Sequence, residues 1–151
     1  MNNDQVIATI NDLIACAMDG EFGFRASAEV IHDEQTRRLF LQRAEEWGQA
    51  AAELRPFVAD LGGQAEDGGS AGGAVHRGWV AVKGTLSGYT DRAILDDAGR
   101  AEDKAVFRYQ SAMNQQLPAA VRAVVERQYL DAQRHLTLIE ALQDREQAVQ
   151  R

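Results

Sequence analysis

Apolar residues return along most of this chain at alternating intervals of four and three, the spacing that lines one face of an α-helix. The first stripe is Ile10, Ile14, Ala17, Glu21, Phe24, Ala28 and Ile31, and it predicts a helix over residues 4–31. The pattern restarts at His32-Asp33-Glu34, where Asp33 is a fitting N-cap and Glu34 favours the positive end of the next helix. A second stripe, Phe40, Ala44, Trp47, Ala51, Leu54, Val58 and Leu61, predicts a helix over 34–61 that Gly62-Gly63 stops. Pro56 lies inside that span and should kink the helix or end its regular part, because it lacks a donor and crowds the preceding turn. Leu95, Ala98, Glu102, Ala105, Tyr109 and Ala112 mark a helix over about 90–115. Pro118 then opens a last helix carrying Val121, Val125, Gln128, Ala132, His135, Ile139 and Leu142.

Between the second and third long stripes the chain changes character. Residues 62–73, GGQAEDGGSAGG, offer nothing to bury and read as a flexible glycine-rich linker. Residues 74–88 carry Val75, Trp79, Val82 and Leu86, a short helix anchored by Trp79. Two tight hairpins joined by one long connection describe an all-α four-helix bundle with a single crossover, which is the ferritin-like topology. The whole chain, 1–151, reads as one domain.

Composition narrows the function classes. Sixteen basic residues against twenty-three acidic give a net charge of −7, so there is no positive surplus for nucleic acid or an anionic membrane surface. No apolar run reaches the roughly 18 to 20 residues that span a bilayer, and MNNDQV at the start has no signal-peptide character. Cys16 is the one cysteine, which excludes an internal disulfide and makes cytoplasm the expected compartment. Neither a phosphate loop nor a nucleophile elbow is present, so hydrolytic chemistry has no support. His32 and His76 fall at helix edges. Ile94, Val106 and Met113 form a second apolar face on the 90–115 helix, which a twofold partner would cover in a homodimer.

The candidate chemistry lies in acids on the inner seams. Glu21 and Glu102 fall directly on their stripes, and a carboxylate aimed into an apolar bundle must be paired, hydrogen-bonded, protonated or bound to a cation. In an antiparallel hairpin two residues are level when their mean number falls on the turn. That rule pairs Glu21 with Glu46 and Glu102 with Asp131, near mid-helix, where bundle proteins build di-iron and di-manganese sites. His135 lies one turn beyond Asp131 on the same face. The residues equally suit a structural role: Glu46 can turn toward an arginine, and Gln128 suits a polar network with Tyr109 or Glu102.

The segments LIACAMDGEFGFRASAE at 13–29, AVHRGWVAVKGTLSG at 74–88 and AILDDAGRAEDKAVFRYQSAM at 93–113 resemble small bacterial ferritin-like proteins grouped as a domain of unknown function. DGEFGF and HRGW are the most specific parts. The resemblance implies the ferritin-like bundle and no established activity. Ferritin-like metal proteins carry one Glu on each of two helices and a Glu-x-x-His on each of the other two. By position this implies Glu21 and Glu102 as the lone acids, with the motifs at Glu46-Trp47-Gly48-Gln49 and Asp131-Ala132-Gln133-Arg134. Gln49 stands where one histidine belongs, Arg134 where the other does, and His135 is displaced by one residue. Two expectations follow. One is a structural or interaction protein, with stress physiology as one setting and an incomplete acidic centre. The other is an iron- or manganese-binding redox or storage bundle using Glu21, Glu46, Glu102, Asp131 and His135, with Gln49 and Gln128 as supporting hydrogen-bond partners. An enzyme is the less expected outcome.

Overall fold

The computed structural model describes residues 1–68 and 90–149, which form four helices and, among the described residues, no strand. They are α1 (Asn3–Val30), α2 (Glu34–Asp60), α3 (Asp91–Met113) and α4 (Ala119–Val149). Residues 69–73 of the expected linker and the whole expected helix at 74–88, with Trp79 and His76, lie outside the described residues.

Side chains set the helix ends. Asn2 caps α1 through a reciprocal pair with Gln5, its Oδ1 accepting from Gln5 N and Gln5 Oε1 accepting from Asn2 N, each at 2.9 Å. Asp33 caps α2 by accepting from Thr36 N at 3.0 Å, as its position after the first stripe predicts. Thr90 caps α3. At the end of α2, Gly62 takes φ +83°, Gly62 N donates to Ala59 O and Gly63 N donates to Val58 O. Two orphan carbonyls are thereby satisfied in a left-handed turn that a glycine makes without strain. Pro56 does not end α2, which continues to Asp60. One further turn suffices to bury Val58 after it, and the proline ring itself is exposed, so water can serve the carbonyl it leaves without a donor.

Almost every stripe residue is buried, from Ile10, Ile14 and Phe24 on α1 to Val125, Ala132 and Ile139 on α4. Trp47, Tyr109 and Phe40 are the largest side chains fully enclosed. The seam acid Glu21 is an exception and is half-buried. Helix α1 packs along α2 and α3 along α4, and the two hairpins meet through α1 with α3 and α2 with α4. Two glycines let α1 and α2 approach closely. A Cβ at Gly20 would meet Trp47 Cδ1 at 2.6 Å, and one at Gly48 would collide with Glu21 Oε2.

Two clasps hold the described chain on either side of residues 69–89. After α2, Gln64 O accepts from Asn11 Nδ2 and Glu66 N donates to Asn11 Oδ1, so the chain leaves beside the N-terminal part of α1. It enters α3 at the opposite end, where Asp91 accepts from the backbone N–H groups of His32 and Asp33 at 2.9 Å each. Arg145 closes the same end by donating to Asp33 Oδ2 at 2.8 Å.

One expectation about faces needs correction. Ile94 is buried within the chain, and Val106 and Met113 pack partly buried against its core, so these three do not form a free second face. The four-three rule undercounts the width of the buried stripe, which on a core-facing helix covers more than one seam. The apolar side chains that do face outward on α3 and α4 include Phe107 and Leu130, 67% and 61% exposed. Cys16 is buried as well, and burial pushes its thiol up to about 12. No helix among the described residues is long and apolar enough to cross a membrane.

Candidate functional site: a buried arginine and its carboxylates

At mid-bundle four titratable side chains from three helices form one connected set. Arg43 on α2 points inward with its side chain 3% exposed, and Glu102 on α3 meets it with 1% exposed. Arg43 Nε donates to Glu102 Oε1 at 2.9 Å and Nη2 donates to the same oxygen at 2.5 Å. Trp47 Nε1 donates to Glu102 Oε2 at 3.3 Å. The Arg43 guanidinium carbon also sits 3.9 Å from the centroid of the Trp47 ring, so one indole supports the pair with its face and its N–H. Burial pushes the Glu102 carboxyl above its ordinary 4.5, and the charge and hydrogen bonds of Arg43 pull it back.

Glu46 extends the set toward α4. Its Oε2 lies 3.5 Å from Arg43 Nη1 and 2.5 Å from His135 Nε2. Burial, and then the Arg43 charge, lower His135 below its ordinary 6.5, with Glu46 opposing. In the neutral ring, a proton on Nε2 would be donated to Glu46 and would leave Nδ1 as the acceptor. That atom is buried and has no hydrogen-bond partner among the described residues.

A second polar group lies one to two turns along α2. Tyr109 Oη donates to Gln128 Oε1 at 2.6 Å, and Gln128 Nε2 donates to Ala50 O at 3.2 Å and Glu53 Oε1 at 2.8 Å. Burial holds the Tyr109 hydroxyl well above its ordinary value, so it stays a donor. This satisfies each polar atom by another, as the structural reading of Gln128 requires. Between α2 and α4 a cavity of about 160 Å³ is bounded by Arg43, Glu46, Gln49, Glu53, Gln128 and Asp131 among others.

Of the sequence-predicted residues, the structure brings Glu46 and His135 into contact and links both to Glu102 through Arg43. Glu21 and Asp131 do not join them. Glu21 lies across Gly48, 3.9 Å from Arg25, and Asp131 pairs with Arg134 at 3.6 Å with its side chain 42% exposed. Gln49 is exposed on the cavity rim. The inward residue of α4 near this level is His135, one turn past Asp131. Helical side chains lean toward their own N-termini, which shifts antiparallel partners away from the mean-number rule. The Tyr109–Gln128 hydrogen bond fixes the shifted register. Among the described residues, no group of three or more His, Cys, Asp or Glu side chains is placed to hold a metal ion.

Arg43 is the residue that the stripe reading passes over. Its signal was present: it stands three after Phe40 and four before Trp47, and so shares their face.

No curated protein matches the chain in sequence. A family profile does match, over residues 5–115, covering α1 to α3 and ending before the helix that carries Gln128 and His135. Because the match takes in most of the chain, including all three segments that carry the resemblance, this protein belongs to the family described as a domain of unknown function, DUF2383.

Proposed function

We propose that the chain is a ferritin-like bundle with a structural or interaction role, whose centre is held by arginine where metal proteins of that topology hold a cation. The observation that carries this reading is the Arg43–Glu102 pair. Glu102 accepts two N–H groups on one oxygen and the Trp47 N–H on the other, so each of its oxygens is already engaged by a protein donor. The exit of the chain beside Asn11 and its return at Asp91 support the one-crossover topology. An interaction role turns attention to the outward apolar side chains Phe107 and Leu130, and sedimentation at micromolar concentration tests whether copies of the chain associate.

The competing reading is an iron- or manganese-binding bundle using Glu21, Glu46, Glu102, Asp131 and His135. It draws on the His135 ring, oriented by Glu46 on one nitrogen and unpartnered on the other, which is how a carboxylate orients a metal-bound histidine. Anaerobic titration with iron(II) or manganese(II), read by thermal melting, decides between them, because a ligand that binds only the folded state raises its melting temperature. The arginine-held centre predicts no rise at millimolar metal. A saturable rise would establish the competing reading.

A further inference from the structure

The surroundings of Arg43 amount to a binding site in their own right. One edge of its guanidinium faces Glu102 Oε1, which accepts from both Nε and Nη2. Another nitrogen, Nη1, lies 3.5 Å from Glu46 Oε2. The Trp47 ring lies 3.9 Å from the guanidinium carbon. A carboxylate oxygen that takes two N–H groups of one guanidinium, a second carboxylate at another edge and an aromatic face select a planar, delocalised monocation. A compact ammonium cannot present that fork, and a divalent ion needs several ligand atoms within about 2.0–2.6 Å.

We propose that the bundle centre is a guanidinium site formed by Glu102, Glu46 and Trp47, filled from within by Arg43, and that shortening Arg43 leaves it open to a free alkylguanidinium ion. This rests on the arginine-held centre of the preceding subsection. It goes further in assigning the specificity to the cradle rather than to the covalent tether. Removing the side chain beyond Cβ leaves a buried carboxylate without its counter-charge, and ethylguanidinium restores the missing atoms.

The test is Arg43→Ala melted with and without millimolar ethylguanidinium, with ethylurea as the uncharged control of the same shape. The variant should melt about 10 °C below the parent protein, from the loss of one partner of a buried pair. Ethylguanidinium should then raise its melting temperature by several degrees in a saturable way. Ethylurea should not, and the parent protein should gain nothing from either. If the variant is unfolded in buffer alone, the readout becomes recovery of helical circular dichroism on adding the ion. In Arg43→Ala/Glu102→Gln the cradle keeps its shape but loses the Glu102 charge, with Glu46 still in place, and the concentration needed for rescue should rise at least tenfold. Equal effects of ethylguanidinium and ethylurea on Arg43→Ala, or rescue undiminished by Glu102→Gln, would overturn the site. A manganese-induced rise in the parent protein would instead overturn the arginine-held reading on which it rests.

Discussion

Replacing Glu102 by leucine removes one half of the central pair while roughly preserving volume. Arg43, 3% exposed, would lose the oxygen that accepts from Nε at 2.9 Å and Nη2 at 2.5 Å, and Trp47 Nε1 would lose its acceptor. Breaking a buried pair from one side costs about 3–5 kcal/mol, because the remaining charge is left without water or a counter-ion. Glu46, 3.5 Å from Nη1, keeps part of the compensation and places the expected loss near the lower end, about 3 kcal/mol. In a chain of this size that corresponds to a fall of about 6–12 °C in melting temperature. Adding Arg43→Met should recover most of it, since removing both charges is often neutral where removing one is not. Urea denaturation of the parent, both single variants and the double variant, followed by circular dichroism at neutral pH, closes the cycle. A loss under about 1 kcal/mol for Glu102→Leu, or a double variant as unstable as the sum of the singles, would refute the argument.

Three further outcomes follow. Gly20→Ala gains about 1 kcal/mol of helix propensity, yet its Cβ would meet the fixed indole of Trp47 at 2.6 Å. Overpacking of about 1–3 kcal/mol should win, and a melting temperature above the parent's would show that the indole has room to move. His135 is held below its ordinary 6.5, so the unfolded chain binds the extra proton first and this group's contribution is complete above 6.5 and falls as pH drops through the window beneath it. Arg43, Glu46 and Arg134 act on the ring, and His135→Leu should flatten the stability profile in that window; an unchanged slope would place the proton uptake elsewhere. Asp33→Ala removes the cap of α2 and the Arg145 contact, and should cost about 1–2 kcal/mol in denaturant melts. The Thr36 hydroxyl and N–H hold the Asp33 carboxyl below its ordinary 3.8, so its contribution is present above that value and is lost as pH falls through the lowered one. A variant no less stable than the parent at neutral pH would contradict that role.

The sequence makes the scaffold legible because burial in a bundle is nearly one-dimensional. Phe40, Trp47 and Leu54, or Leu95, Glu102 and Tyr109, recur at helical intervals, and each is enclosed where the interval places it. Asp33 and Gly62 were readable for a local reason: a cap and a left-handed turn depend on the residue itself. The centre was less legible. Glu102 on its seam announced a buried carboxylate, but its partner is on another helix, and stripe counting by apolar residues passes over an arginine on the same face. Arg43 sits there because its planar head packs on Trp47 while the charge is neutralised by Glu102. Register between hairpin partners was also out of reach of residue numbers alone, so Asp131 took the level that His135 occupies.

The central claim is that a protein cation, Arg43, fills the middle of the bundle. Crystals grown with millimolar manganese(II) and measured for anomalous scattering test it directly. Density should run unbroken from Arg43 to Glu102, with no anomalous peak beside Glu102, Glu46 or His135. A manganese peak bonded to Glu102, with Arg43 turned away from it, would contradict it.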